Sequence, residues 1–181
     1  MGFHAGAGWS EVGWSFVPNT PSNHNGEGLF GGGQIGYNWQ AGNIVFGVEA
    51  DGSVASIEGR APCPNPTFEC GSNVEWLASV RGRIGVTAFG PKSLLYATGD
   101  WGWAGLSNKA LSSVGGIDVD ETYSGFVGGG GVEFATSSNW SYKLEYLGYF
   151  LDKERTTTQL SQPIDVEPTI HTFKFGVNYK F

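Results

Sequence analysis

The last thirteen residues, 169–181 (TIHTFKFGVNYKF), constrain the fold of this chain more than any other stretch. Side chains of an extended strand alternate between its two faces. One face therefore carries Phe173, Phe175, Val177, Tyr179 and Phe181, and the other carries Thr172, Lys174, Gly176, Asn178 and Lys180. In a soluble protein such an exposed aromatic edge would promote aggregation, but it suits a strand whose apolar face meets lipid. The stretch predicts a membrane-spanning β-strand.

The composition favours a barrel over other kinds of membrane protein. Only 15 % of the residues are charged, against about 25 % in an average soluble domain. No run of about 18 apolar residues occurs, which excludes a transmembrane helix. A chain with few charges and no such helix crosses a membrane as a closed barrel. The net charge of −7, with only 10 Lys and Arg residues, argues against nucleic acid as a partner.

The same alternation recurs along the chain and predicts one domain, residues 1–181, with eight strands. Long polar connections are expected at Gly13–Gly26, Gly59–Asn73, around Asp118–Glu121 and at Glu154–Pro168, and short turns at Gln40–Asn43, Gly90–Pro91 and 137–139. Alternating long and short connections are typical of outer-membrane barrels, with the short turns in the periplasm. We therefore predict an all-β, eight-stranded antiparallel up-and-down transmembrane β-barrel.

The charge count also indicates which face meets lipid. If the polar faces of the predicted strands formed the outer wall, that wall would be mostly Gly, Ser and Thr. Its content of charged residues would be far below the roughly 25 to 35 % of a soluble surface. In addition, Trp39, Trp140, Tyr179 and Phe181 lie at strand ends beside short turns, where an aromatic girdle belongs. The apolar face is therefore expected to meet lipid.

The polar face of the strands then places opposite charges inside the barrel. We predict a balanced hydrogen-bonded network centred on Arg81, because unpaired charges in so confined a space would be costly. Its acids are Glu49, Asp51, Asp100 and Glu145, and its bases are Arg81, Arg83, Lys143 and Lys174. Eight strands leave an interior only wide enough for side chains, so this network, with Leu77, Tyr96 and Tyr149, should plug the barrel.

Several stretches resemble a known family. They are 31–39 (GGGQIGYNW), 46–51 (FGVEAD), 76–85 (WLASVRGRIG), 95–103 (LYATGDWGW) and 143–146 (KLEY). They are similar to the porin-family, opacity-like barrels of alphaproteobacteria, known as the 25- and 31-kilodalton outer-membrane antigens. The resemblance implies a bacterial outer-membrane surface protein of the cell envelope. It also implies that the barrel-assembly machinery reads the terminal aromatic strand as its signal.

The two cysteines, Cys63 and Cys70, lie in one Pro-rich segment. In an oxidising compartment this spacing indicates a disulfide closing a small loop, worth about 2 to 3 kcal/mol. Two free thiols are the alternative, and a metal pair is disfavoured because no His is nearby. The chain begins without a basic and apolar leader, so we expect it to be a mature form.

Other functions rest on scattered residues, and we expect no catalytic, cofactor or metal site. A lipid-modifying enzyme would need His171 to act with Ser161 and Asp165. Haem or host-surface binding would use the loop residues Trp14, Phe16, His24 and Phe68. A small diffusion pore is a further alternative. The cations Arg60, Lys109, Lys153 and Arg155 are placed to contact lipopolysaccharide phosphates, which the acidic residues Asp118, Asp120 and Glu121 would repel.

Overall fold

Long β-strands make up almost all of the computed structural model of this chain. It describes residues 1–16, 20–62, 69–88, 90, 92–112, 115–136, 138–152, 154–157 and 163–181, with side chains at 1–11, 26–58, 73–88, 90, 92–107, 121–136, 138–152 and 169–181. The described strands are β1 (Gly2–Phe16), β2 (Thr20–Ala41), β3 (Ile44–Pro62), β4 (Glu69–Thr87), β5 (Ser93–Ser112), β6 (Gly115–Ala135), β7 (Trp140–Leu151), β8 (Glu154–Thr157) and β9 (Pro163–Tyr179). Within the described residues, no helix is long and apolar enough to cross a membrane.

The strands close into one barrel. Each strand from β1 to β7 pairs antiparallel with the next, and β7 then pairs with β9. Gly2 on β1 lies opposite Asn178 on β9, and this pairing closes the sheet. The short strand β8 pairs with the beginning of β9, with Glu154 opposite Val166. Eight strands therefore form the closed ring, which confirms the predicted fold.

The strands are longer than the sequence predicts. The predicted loop at Gly13–Gly26 contains the end of β1 and the beginning of β2, which pair from Gly2 opposite Gln34 up to Phe16 opposite Thr20. The segments predicted as loops at Gly59–Asn73, Asp118–Glu121 and Glu154–Pro168 also contain strand residues. Antiparallel pairing satisfies the backbone whatever the side chains are, so polar residues, Gly and Asn continue the strands beyond the membrane. At the other end, the last strand stops at Tyr179 and not at Phe181.

The outer wall of the barrel is apolar. Its exposed side chains include Phe3, Ile35, Trp39, Phe46, Val80, Ile84, Phe126, Trp140, Leu144, Phe173 and Phe175. Alternation along the fourth predicted strand places Val74 on the same lipid-facing side as Trp76 and Val80, and this prediction is wrong at Val74, which is buried. The register between β4 and β5 shifts between Val74 and Trp76, and this bulge turns Val74 inwards.

The interior of the barrel is filled by side chains in two layers. Along β7 from its short-turn end, the inward residues are Ser141, Lys143, Glu145, Leu147, Tyr149 and Leu151. Along β4, the order of inward residues from the short-turn end is Arg83, Arg81, Ser79 and then Leu77. On these two strands the polar residues thus lie towards the short turns, and the apolar ones lie towards the long connections. We call them the charged layer and the apolar layer, and the apolar layer comprises Ile57, Val74, Leu77, Ala104, Leu106, Tyr123, Val127, Leu147, Tyr149, Leu151 and Ile170.

Candidate functional site

The charged layer contains four acids and four bases, all buried. Its acids are Glu49, Asp51, Glu133 and Glu145, and its bases are Arg81, Arg83, Lys143 and Lys174. Arg81, Lys143, Glu145 and Lys174 are each no more than 1 % exposed. A charge buried this deeply is tolerated only when partners of opposite charge surround it.

Arg81 lies at the centre of the charged layer. Its Nη2 donates to Glu49 Oε1 and to Asp51 Oδ1, each at 2.8 Å. Its Nη1 lies 3.2 Å from Glu145 Oε1, which also forms an ion pair with Lys174 Nζ at 3.0 Å. Neither contact to this oxygen is aligned as a hydrogen bond. One guanidinium therefore links three carboxylates that come from β3 and β7.

The two lysines cross the lumen. Lys143 Nζ on β7 donates to Glu49 Oε1 on β3 at 2.6 Å. Lys174 Nζ on β9 donates to Asp51 Oδ2 on β3 at 3.3 Å. Because β3 lies across the ring from β7 and β9 in the strand order, these contacts tie opposite walls together. The long, flexible stems of Lys make this reach possible.

Arg83 and Glu133 form a second centre nearer the short turns. Arg83 Nη2 donates to Glu133 Oε2 at 2.7 Å, and Arg83 Nη1 lies 3.5 Å from Glu49 Oε2. Ser141 Oγ and Asn178 Nδ2 donate to the other oxygen of Glu133, at 2.5 and 3.3 Å. The guanidinium also lies over the ring of Tyr96, 4.8 Å from its centroid. This centre is held by both charge and hydrogen bonding.

Neutral side chains complete the layer. Tyr96 Oη donates to Glu145 Oε2 at 2.7 Å, and Ser79 Oγ donates to Asp51 Oδ1 at 2.5 Å. A Cβ at Gly131 would lie only 2.8 Å from Tyr96 Oη. A Cβ at Gly176 would lie 3.3 Å from Lys143 Cε. These two glycines leave room for the large groups opposite them.

The charged layer opens towards the short turns into a cavity of about 540 Å³. Its inner wall includes Gln34, Glu49, Arg83, Glu133 and Asn178. Gln34 Oε1 and Arg83 Nε are buried there without a hydrogen-bond partner. The cavity is therefore a polar vestibule that ends at the ion pairs.

One of the predicted network residues does not belong to it. Asp100 is exposed and forms no ion pair among the described residues. On β5, Asp100 and Trp101 are successive exposed residues between the buried Thr98 and Gly102, so strict alternation fails there. The four bases of the layer already pair with four buried carboxylates, and a fifth buried carboxylate would lack a cation of its own. Glu133 is the fourth acid of the layer, and its place on the polar face of the sixth predicted strand was the signal for it.

The other predicted sites lie at the outer wall or outside the described residues. Phe173, Phe175 and Phe181 are exposed, and Val177 and Tyr179 are half-buried on the same strand face. Cys63 lies outside the described residues, as does the side chain of Cys70, so the disulfide stays a prediction. Roles predicted for other loop residues also stay predictions, because their side chains lie outside the described residues. These residues are Trp14, Phe16, His24, Phe68, Ser161, Asp165, Arg60, Lys109, Lys153, Arg155, Asp118 and Asp120.

Comparison with known proteins agrees with this architecture. The whole chain, residues 1–181, matches the family model described as the outer membrane protein beta-barrel domain. The chain belongs to this outer membrane protein family. Its location is the bacterial outer membrane, and the resemblance to alphaproteobacterial outer-membrane antigens is confirmed by the relatives.

This outer membrane protein is similar to several named relatives, among them the following two. It is 32 % identical over 166 residues to the 31 kDa outer-membrane immunogenic protein of Brucella melitensis biotype 1, covering 85 % of this chain and 67 % of the relative. It is 37 % identical over 118 residues to the 22 kDa outer membrane protein of Rhizobium leguminosarum bv. viciae, covering 64 % of this chain and 50 % of the relative. Among solved structures, OprG from Pseudomonas aeruginosa is 9 % identical, with a TM-score of 0.49 and coverage of 99 % and 96 %.

Proposed function

We propose that this outer membrane protein is a closed barrel that contributes to envelope integrity and surface contacts. The observation that supports the proposal is that two successive layers of side chains, one charged and one apolar, fill the lumen. Arg81, Lys143 and Lys174 are among the largest fully buried side chains, and so are Leu77, Leu147 and Ile170 in the apolar layer above them. A permeating ion would have to break ion pairs and then enter a dry apolar layer, each at high free-energy cost.

Single-channel conductance in planar bilayers tests this proposal. The purified protein, folded in detergent and inserted into a bilayer of defined lipid, should show no steady conductance. Heat modifiability on gels should establish that the inserted barrel is folded, since a closed barrel unfolds only on boiling. A steady, large conductance from folded protein would contradict a closed barrel.

A small, flickering pore is the second candidate, and the polar vestibule favours it. Arg83 lies between Glu133 and Glu49, at 2.7 and 3.5 Å, so it has an alternative partner already within reach. Brief openings that depend on Glu133 would support this candidate. Under the same conditions, a complete lack of openings in the folded parent and in Glu133→Gln would count against it.

The remaining roles are weaker proposals. We propose no catalytic role, in line with relatives that are named as outer-membrane proteins, and the suggested group of His171, Ser161 and Asp165 stays a prediction. Haem or host-surface binding by the loops stays a prediction that a haemin titration tests, through the Soret band. Reading of the terminal strand by the assembly machinery is likewise a proposal, supported by the exposed Phe173 and Phe175. Lipopolysaccharide contact through loop cations is a further proposal.

A further inference from the structure

Three aromatic rings lie together on the outer wall near the long-connection end of the barrel. Trp9 on β1 lies directly opposite His171 on β9, and Tyr146 is on the adjacent β7. The ring centroids are 5.5 Å apart for Trp9 and His171, 6.0 Å for Tyr146 and His171, and 6.4 Å for Trp9 and Tyr146. The corresponding interplanar angles are 26°, 16° and 39°.

These distances describe a compact cluster of three rings and not a straight column. In a face-to-face column the outer two rings would be about twice as far apart as neighbours, whereas here all three separations are similar. The His171 ring is nearly parallel to each of its neighbours, at 26° and 16°, whereas the rings of Trp9 and Tyr146 are tilted by 39° to each other. Trp9 is 41 % exposed and Tyr146 is 40 % exposed, as expected for rings that present one face outwards. We call this surface the aromatic platform.

A hydrogen bond fixes the platform and leaves one polar edge available. Tyr146 Oη and His171 Nδ1 are 2.7 Å apart. If the tyrosine donates, His171 Nε2 carries a hydrogen, and if Nδ1 donates, Nε2 is an acceptor. No described residue forms a hydrogen bond with Nε2. A hydroxyl group both donates and accepts, so it can pair with either tautomer.

The platform lies at the level of the lipid headgroups. Gly148, the β7 partner of His171, is eight residues beyond Trp140 at the short-turn girdle. At about 3.3 Å per residue and a tilt of about 40°, this is a rise of about 20 Å, close to the top of an apolar band about 25 Å tall. Glu27 lies directly opposite Trp9 on β2 and is exposed. A carboxylate at this height indicates the headgroup region, because hydrocarbon would exclude it.

We propose that the aromatic platform of Trp9, Tyr146 and His171 binds the sugar ring of an outer-leaflet glycolipid. The C–H groups of a pyranose carry partial positive charge and are attracted to the negative faces of aromatic rings. One sugar hydroxyl pairs with His171 Nε2. Glu27 repels a phosphate but accepts a hydrogen bond from a hydroxyl. The described side chains of this surface offer an imidazole edge and a carboxylate, which suit a sugar hydroxyl.

Glycolipid titration of the folded protein in detergent micelles tests this site. The probe is lipopolysaccharide truncated to its lipid anchor and innermost sugars, with bound lipid counted by native mass spectrometry. Trp9→Leu should lower the affinity about two- to tenfold, the contribution of one aromatic contact. His171→Phe keeps an aromatic ring but removes Nε2 and the hydrogen bond to Tyr146, and it should lower the affinity by at least a similar factor. In ¹⁵N-histidine spectra of the parent, the Nε2 signal of His171 should shift on titration.

Trp140→Leu is the matched control, because it removes the same aromatic area at the opposite rim, where Trp140 packs on Tyr179. It should leave glycolipid affinity unchanged. Equal affinity in parent and Trp9→Leu, with both folded by heat modifiability, would overturn the proposal. So would binding of phosphatidylglycerol with the same dependence on Trp9, or binding of the deacylated sugar as tightly as the glycolipid. These readouts do not depend on whether the barrel conducts, so this proposal and the closed barrel can fail separately.

Discussion

The two layers of the barrel interior block the same lumen by different physics. The charged layer relies on directional contacts, in which Arg81 reaches Glu49, Asp51 and Glu145. The apolar layer relies on close packing of residues such as Leu147 and Ile170, neither of which has any exposed area. Loss of one ion partner leaves a buried charge uncompensated, whereas loss of a methyl group leaves a cavity. The two layers should therefore respond differently to small changes.

The order of the layers also has a consequence for water. The charged layer borders the polar vestibule, so its outer members can exchange contacts with water from the short-turn side. The apolar layer lies behind it and presents few polar groups to water. The apolar layer should thus remain a barrier even when single ion pairs open, and complete passage should require both layers to fail.

Arg81→Ala should have the largest effect. Among the described residues it removes the only group that contacts Glu49, Asp51 and Glu145 together, and the cations left to them are Lys143, Lys174 and, for Glu49, Arg83 at 3.5 Å. Removing one member of a buried ionic cluster typically costs about 3 to 5 kcal/mol. Urea unfolding of the barrel in lipid vesicles measures the loss. A variant as stable as the parent would show that Arg81 does not organise the charged layer.

The conductance of Arg81→Ala tests whether the apolar layer seals the lumen without an intact charged layer. If the apolar layer seals the lumen by itself, Arg81→Ala should remain closed in planar bilayers apart from brief openings. The double variant Arg81→Ala with Leu147→Ala should conduct more than either single change. Steady conductance from Arg81→Ala alone would mean that the apolar layer is not a barrier.

Leu147→Ala should be the next largest in effect. Leu147 has no exposed area and packs within the apolar layer, so its truncation leaves a cavity. Such changes typically cost about 2 to 5 kcal/mol. The measurement is again urea unfolding in vesicles, with exposed Leu144→Ala on the same strand as the control. A similar loss of unfolding free energy in both variants would mean that the apolar layer is loosely packed.

Tyr96→Phe should have a smaller effect, because it removes one hydrogen bond and keeps the ring. Tyr96 Oη donates to Glu145 Oε2 at 2.7 Å, and Lys143 is the only described cation near that oxygen, at 3.8 Å. A hydrogen bond to a charged group contributes about 1.5 to 3 kcal/mol. We expect a loss in this range in the same unfolding assay. The ring of Phe still lies under Arg83, so a larger loss would indicate that the layer rearranges.

Much of this architecture was predictable from alternation alone. The alternation of apolar and polar residues predicted the lipid-facing wall. The charged residues on the polar face predicted every member of the charged layer except Glu133. Glu133 was visible on the polar face, but the cation that reaches it, Arg83, comes from β4, which is not adjacent to β6. Pairing across the lumen depends on three-dimensional register, which one strand's sequence does not contain.

The division into two layers and the aromatic platform were beyond a single-strand analysis for the same reason. The apolar layer needs a bulge to turn Val74 inwards, and no Gly or Pro marks it within the strand. The platform joins Trp9, Tyr146 and His171 from three strands that are neighbours only because the barrel closes between β1 and β9. Strand ends were misjudged because loop-forming residues continue to pair above the membrane.

Asp100→Asn should have the smallest effect, and it tests the boundary of the charged layer directly. Asp100 is exposed and forms no ion pair among the described residues, so its neutralisation should change the free energy of unfolding by no more than about 0.5 kcal/mol. The matched change Glu133→Gln leaves Arg83 without its partner at 2.7 Å and should cost several times more. Both variants are compared by urea unfolding in the same vesicles. A loss for Asp100→Asn that equals the loss for Glu133→Gln would place Asp100 back among the partners of Arg81, as strict alternation along β5 predicts.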